Sequence, residues 1–307
     1  MFYVIGGSNI DIYCKSDKEL ILKDSNPCKL SYSFGGVARN VVENLSNLHE
    51  RICFISAFGN DHFGEAIKND LIKRNVDLSY CLTVDGYSTS TYIAILNEND
   101  MFVGVNDMSV LNKLDKKHLS VLCDVVKDDD LLFLDTNLDR ELIEYILKNI
   151  KGIKVCDAIS ANKVIKLDSL TKYLTCLKMN ELEAKTLSKK DLNTKEEIVA
   201  YIKSLISDGL KEVLITGKDY LYIGNNEQIV KYKHNAYRQK PVNVSGAGDA
   251  LISYYMAMRY KGKSIEDAAR IGITASVLTV DENKSVKDMD LNFVLEKSKE
   301  IIIEKEN

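Results

Sequence analysis

The chain of 307 residues is predicted to fold as an α/β protein, with a mostly parallel sheet flanked by helices on both faces and a small β-sheet lid beside it. Two observations predict the main sheet. Short apolar runs of strand length alternate with stretches of helical period along most of the chain. Glycine-rich turns stand where a strand would give way to a helix, which is where open α/β sheets bind ligands. A third observation predicts the lid: residues 12–34 and about 80–110 break the alternation with shorter strand-like segments.

Phe2-Tyr3-Val4-Ile5 reads as the first strand. Val37, Val41, Leu45 and Leu48 recur at helical spacing, as do Phe63, Ile67 and Leu71 after a buried strand over 52–58. Residues 91–96 and 101–105 read as a hairpin turning at Asn97-Glu98-Asn99-Asp100. Further strands are expected over 131–134, 153–156, 174–177 and 213–215, and the lysine- and glutamate-rich C-terminal end reads as a solvated terminal helix. With no linker or internal repeat, one domain spanning 1–307 is expected.

Lysine plus arginine number 41 and aspartate plus glutamate 45, a formal net charge of −4. That balance, without a dense basic tract, gives no electrostatic case for nucleic acid. No apolar run approaches the ~18 residues that span a bilayer, and the N-terminal run reads as a strand and not as a signal sequence. A cytoplasmic protein away from membranes is expected. The seven cysteines (Cys14, Cys28, Cys53, Cys81, Cys123, Cys156 and Cys176) show no C-x-x-C pair and mostly sit in apolar runs, as reduced core residues do. The histidines His49, His62, His118 and His234 lie far apart, which argues against a histidine metal site.

The chemistry-bearing string is Val244-Ser245-Gly246-Ala247-Gly248-Asp249, running into the apolar helical pattern Ala250-Leu251-Ile252. Two glycines around an alanine let backbone N–H groups converge, and the helix dipole adds positive potential, so the turn suits a phosphoryl group in transit. Asp249, in the first helical turn, is expected to be held ionised and to accept a hydroxyl proton. An ordinary glycine-rich helix start has the same spelling, and the string alone leaves both readings open.

Asn9 and Asp11 follow Gly6-Gly7 and stand two residues apart, so in an extended segment they share a side and can bracket adjacent hydroxyls of a sugar. An Asx turn is the alternative. Gly35-Gly36 opens another helix with Asn40 one turn in, and Arg39 reads as a solvated or structural residue. Asn180 and Glu183 share a helix face and carry oxygens suited to magnesium, although the same spacing is a capping box.

Taken in order, Asn9 and Asp11, Gly35-Gly36 with Asn40, Asn180 with Glu183, and Gly246-Ala247-Gly248-Asp249 resemble the ribokinase-like (PfkB) family of sugar and nucleoside kinases, from Val4 to about Val280. The resemblance implies ATP-dependent phosphoryl transfer to an alcohol. It implies that Gly246, Ala247 and Gly248 form the anion hole and that Asp249 is the catalytic base. Asn9, Asp11, Gly35, Gly36 and Asn40 would hold a small-molecule sugar or nucleoside. Asn180 and Glu183 would organise Mg2+ through its water shell, and Asn180, Thr216, Gly217, Gly246 and Gly248 would line ATP. The outlying strands match the family's lid, which implies a homodimer through that lid.

Within the family, the strings Gly35 to Asn40, Asn106-Asp107-Met108, Asp135-Thr136-Asn137-Leu138, Asp157 with Ser160 and Lys163, and Val242 to Asp249 resemble the pseudouridine kinase branch. That branch implies the ribose 5′-hydroxyl of pseudouridine as acceptor, with Asn137 and Lys163 near the base. Asn243 stands where many family members carry Asp in a segment that helps bind a monovalent cation such as K+. Tyr220 stands near the place of a usual second glycine, and Met179 and Ala158 replace usual prolines. A kinase for ribose, adenosine or a ketohexose, and a non-catalytic nucleoside-binding relative, stay open as alternatives. A dehydrogenase is the weaker reading, because Gly6-Gly7-Ser8-Asn9 lacks the Gly-x-Gly-x-x-Gly spacing.

Overall fold

Side-chain parity along the strands divides the interior into two apolar cores. In β1 (Phe2–Ile5), Phe2 and Val4 enter one core and Tyr3 and Ile5 the other. The computed structural model describes residues 1–97, 100–234, 246–280 and 285–306. Among them, the sheet between the cores also contains β4 (Ile52–Ile55), β9 (Leu131–Asp135), β10 (Ile153–Asp157), β11 (Cys176–Asn180) and β12 (Glu212–Thr216), all parallel. It continues antiparallel through β13 (Tyr220–Asn225), β14 (Ile229–His234) and β15 (Ile303–Glu306). The strand order is β15-β14-β13-β12-β11-β10-β9-β1-β4.

Helices Val37–Asn47, Ala247–Tyr260 and Ile265–Thr279 pack into the first core, and Arg140–Asn149, Glu181–Ser188 and Lys195–Ser207 into the second. Both faces are therefore covered, as continuous apolar runs such as Leu131-Leu132-Phe133-Leu134 require.

Three expectations are corrected. The buried strand over 52–58 divides after Ile55: Ser56 donates its hydroxyl to Gly6 O at 2.7 Å and accepts from Leu82 N at 2.9 Å. The chain thus leaves the main sheet, and β5 (Ala57–Gly59) pairs instead with β6 (Leu82–Val84). The C-terminal segment is not helical to its end. After helix Leu291–Lys297, β15 extends the sheet edge, with Ile303 on the core and Glu306 paired with Lys231 and Lys233.

The lid, finally, begins earlier than residue 12 and excludes 82–84. It is formed by β2 (Asn9–Ser16), β3 (Lys29–Gly35), β7 (Thr91–Asn97) and β8 (Asp100–Asp107), in the order β3-β2-β7-β8. Glu98 and Asn99 of the expected hairpin turn lie outside the described residues. Register places Tyr32, Ile12, Ile93 and Val105 in one row across the sheet and Leu30, Cys14, Ile95 and Val103 in the next. These two rows make the middle of one lid face apolar, while Thr91 and Asp107 share the row of Ile10 and Phe34. The body end of that face is covered at Ile10, and its far end exposes Leu30 and Tyr32.

Candidate active site

Toward their carboxyl ends three neighbouring strands of the main sheet carry charged residues of one parity, at the last residue of β9 and β10 and at the third of β11. Phe133, Val155 and Cys176 lie in the core under helix Ala247–Tyr260. Asp135, Asp157 and Lys178, each two residues further on, therefore face the start of that helix. Lys178 Nζ pairs with Asp157 Oδ2 at 3.0 Å, both side chains being buried. A Cβ on Gly248 would lie 2.7 Å from the same Nζ, so the ammonium rests against the first helical turn.

That turn is shaped by Gly246. Its φ is +81°, and a Cβ there would stand 1.7 Å from Ser285 O, so only glycine fits. Among the described residues no side chain caps this helix, which leaves its first N–H groups without side-chain acceptors. The start of helix Glu181–Ser188 is different. Asn180 Oδ1 accepts from Glu183 N at 2.9 Å, and Glu183 accepts from Asn180 N and from Asn180 Nδ2, each at 2.7 Å. The capping box anticipated as an alternative is fully formed.

Asp249 is 7% exposed. Asn40 Nδ2, from helix Val37–Asn47, donates to its Oδ2 at 2.8 Å. Burial pushes the Asp249 carboxyl up to about 7, and the Asp157 carboxylate adds to the rise, while the Asn40 bond and Lys178 oppose it. The helix start that favours an ionised Asp249 is opposed in the fold by burial of the carboxyl, which raises its pKa. Burial would pull Lys178 down, but the Asp157, Glu183 and Asp249 carboxylates together hold it above the ordinary lysine value. Burial likewise raises Glu183, against the pull of Lys178.

Beside Asp249, β1, the lid and helix Val37–Asn47 bring further polar groups to one corner. Asn9 Nδ2 donates to Asp11 Oδ1 at 2.6 Å, so the two side chains share a side as expected. Burial raises the Asp11 carboxyl despite that bond and Arg39. Asp11 Oδ2 would meet a Cβ on Gly35 at 2.2 Å, and Gly36, with φ +97°, packs on Gly7 O. Asp135 ties this corner together by accepting from Gly7 N at 3.0 Å and Ala38 N at 3.1 Å. Arg39 is buried, pairs with Glu43 and Asp70, and lies 5.1 Å from the Phe34 ring centre, which makes it structural.

On the opposite flank, Thr216 stands beside Asn180 in the β11–β12 pairing, and its hydroxyl donates to Met179 O at 3.4 Å. The Tyr220 ring covers Gly217, and Tyr220 donates to Glu181. A cavity of about 100 Å³ connects Thr216 and Gly217 with Ala247, Gly248 and Ser276. Val242, Asn243, Val244 and Ser245 lie outside the described residues, and with them the segment singled out for a monovalent cation.

The structure thus brings Asn40, Gly246, Gly248 and Asp249 together, with Asn9, Asp11, Gly35 and Gly36 on one flank and Asn180, Glu183, Thr216 and Gly217 on the other. Sequence reasoning missed Lys178. Its signal was a charge of matching parity inside the apolar strand Cys176-Leu177-Lys178-Met179.

Residues 1–290 match the pfkB family of carbohydrate kinases. The chain belongs to that family. It is 30% identical to the pseudouridine kinase of Escherichia coli (strain K12) over 274 residues, covering 87% of this chain and 86% of the relative. A carbohydrate kinase from Agrobacterium tumefaciens superposes with a TM-score of 0.83 at 24% identity, covering 99% of each chain. Ribokinase of Arabidopsis thaliana, solved with ribose and ATP, superposes with a TM-score of 0.81 at 20% identity, covering 97% of this chain and 98% of that one. The fold is the ribokinase fold, and the family's activity is phosphoryl transfer to a hydroxyl.

Proposed function

We propose that the chain phosphorylates the 5′-hydroxyl of pseudouridine with ATP, using Asp249 as general base and the Gly246–Gly248 turn as anion hole. The observation that carries the transfer chemistry is the buried Asp249 carboxyl, and the choice of acceptor is taken from the resemblance. That carboxyl is raised to about 7 and oriented by Asn40, next to an uncapped helix start. A base titrating near neutrality is suited to taking a proton from an alcohol. The first N–H groups of helix Ala247–Tyr260 then face the charge that develops on the transferring phosphoryl oxygens.

In this reading Asn9, Asp11, Gly35, Gly36 and Asn40 hold the ribose, with Asn40 also fixing the base. ATP lies along Asn180, Thr216, Gly217, Gly246 and Gly248. Lys178 adds positive charge beside Gly248, and Asp157 keeps it in place. Lid closure excludes water from the transfer.

Asn180 and Glu183 are the residues that would hold Mg2+ through its waters. Among the described residues no three His, Cys, Asp or Glu side chains form a metal cage. The local charge nevertheless fits a divalent cation, since the Lys178 ammonium stands among three carboxylates, Asp157, Glu183 and Asp249. When bound, magnesium neutralises charge on the β- and γ-phosphates. A monovalent cation such as K+ is proposed from the resemblance alone, and the neutral amide of Asn243, where many family members carry Asp, weighs against it.

We further propose that residues 1–307 act as one kinase unit, and that two copies pair through the apolar lid face, whose far end leaves Leu30 64% and Tyr32 62% exposed. A cytoplasmic location is proposed from the unpaired cysteines. No described helix is long and apolar enough to cross a membrane.

Incubation with ATP–magnesium and pseudouridine, followed by mass and phosphorus NMR analysis, tests the reaction. A monophosphate whose phosphorus couples to the 5′ methylene protons is expected. Intact pseudouridine after full incubation would overturn the reading.

A further inference from the structure

The lid carries two thiols that phosphoryl transfer does not use. Cys14 lies in β2 opposite Leu30 of β3, and Lys15 lies opposite Lys29. Cys28 immediately precedes β3, two residues before Leu30, and so stands diagonally across from Cys14. The two-residue spacing brings it to the face that Leu30 and Cys14 share. The thiols meet there: burial, the charge of a neighbouring Cys28 thiolate and a hydrogen bond between the two groups raise the Cys14 thiol above the ordinary cysteine value. Diagonal partners in a regular ladder lie at the limit of disulfide reach. Cys28 falls past the last register partner of β3, so the ladder does not hold it at that separation.

Both cysteines are free thiols, and Cys28 is the exposed one of the seven, whereas Cys53, Cys156 and Cys176 are buried. The chain between them, residues 17–27, is an exposed loop held by surface contacts. Lys29 pairs with Asp17 at 3.4 Å, Asn26 Oδ1 accepts from Ile21 N at 2.8 Å, and Asn26 Nδ2 donates to Ile21 O at 2.9 Å. Its apolar side chains gain no cover: Ile21 and Leu22 are exposed.

We propose that Cys14 and Cys28 form a reversible oxidation site, closing to a disulfide that ties the 17–27 loop to the lid. Exposure makes Cys28 the first to react. Its thiolate attacks a low-molecular-weight disulfide such as oxidised glutathione. The reagent's S–S bond breaks, a mixed disulfide forms at Cys28, and one glutathione thiolate leaves. Cys14, deprotonated in turn, attacks the Cys28 sulfur and expels the second glutathione thiolate. The two protein thiols give up two electrons and two protons, and the glutathione disulfide takes them up as two thiols. The exposed bond stays open to the reverse exchange. It joins the far ends of β2 and β3, whose near ends carry Asn9, Asp11 and Gly35.

The test needs no turnover. The full chain is incubated with oxidised glutathione, its remaining thiols are alkylated under denaturing conditions, and it is digested with trypsin without reduction for mass spectrometry. The expected product is peptide Met1–Lys15 joined to Asp24–Lys29, two hydrogen masses below their sum, with the other five cysteines alkylated. Excess reduced glutathione should release the pair. Cys14→Ser should stop at a glutathione adduct on Cys28, and Cys28→Ser should leave Cys14 as a thiol. Wild type that keeps both thiols, or that stops at the Cys28 adduct without linking the peptides, would overturn the site. A link that survives excess reduced glutathione would overturn its reversibility.

Discussion

Asn40 Nδ2 donates to Asp249 Oδ2 at 2.8 Å, joining two helices whose residues stand 209 apart in sequence. Asn40 belongs to the corner that carries Gly36 and Asp11, and Asp249 opens the helix that begins at the Gly246 turn. One hydrogen bond therefore joins the proposed acceptor corner to the proposed anion-binding turn.

Replacing Asp249 tests its role as base. Asp249→Asn keeps the shape and the Asn40 contact but removes the proton acceptor, so kcat should fall by at least ~10²-fold with acceptor binding largely intact. Steady-state kinetics beside calorimetric titration of the acceptor checks this.

The Asp249 carboxyl also predicts two opposite pH effects. An unperturbed aspartate titrates at 3.8 and Asp249 in the fold at about 7, so the native state holds the proton more tightly than the unfolded chain. Its contribution to stability is complete below pH ~4 and is lost as pH rises toward ~7. Activity needs the ionised form, so kcat/KM should rise with pH up to about 7 and then level. Asp249→Asn should melt at a higher temperature than wild type at pH ~8, and the gap should close near pH ~4. Thermal melts across that range, beside a pH–rate profile, check both.

Lys178 and Asp157 form a buried pair at 3.0 Å. Lys178→Met leaves Asp157 without its cation, a change that costs about 3–5 kcal/mol when one partner of a buried pair is removed. It also removes a charge that lowers the Asp249 pKa, so the pH–rate profile should move to higher pH. Lys178→Met with Asp157→Asn should recover stability but not turnover. Denaturant unfolding and the pH profile of the three proteins separate these effects.

Gly246→Ala should destabilise the chain and abolish turnover, since a methyl group would meet Ser285 O at 1.7 Å in a backbone with φ +81°. The left-handed conformation alone costs ~1–2 kcal/mol for a residue with a Cβ. A drop in melting temperature together with lost activity is the expected result.

Glu183→Gln keeps much of the capping geometry and removes one negative charge. The magnesium concentration for half-maximal rate should rise by roughly 10-fold or more, the usual scale for an outer-shell ligand. Titrating the rate with magnesium at fixed ATP checks it.

Much of this arrangement was legible in the chain itself. The alternation of apolar runs and helical stretches led to the correct layers, because parity and period depend on local spacing. The Gly246 turn and the Asn180 cap were readable because caps and tight turns use few residue types. The division at Ser56 was not legible, since it rests on bonds to Gly6 and Leu82, each distant in sequence. Lys178 and the raised Asp249 carboxyl escaped for the same reason. Their electrostatics arise from burial among Asp157, Glu183 and Asp135, residues that meet only in the fold. The terminal strand β15 has the composition of a solvated helix and is set by pairing with β14.

The central claim is tested most directly by ADP release with ATP–magnesium across pseudouridine, uridine, adenosine, ribose and fructose. The account predicts rapid release with pseudouridine, little with uridine, and none without an acceptor. Release that is fastest with another acceptor would contradict the substrate assignment, and no acceptor-dependent release with any of them would contradict the kinase reading itself.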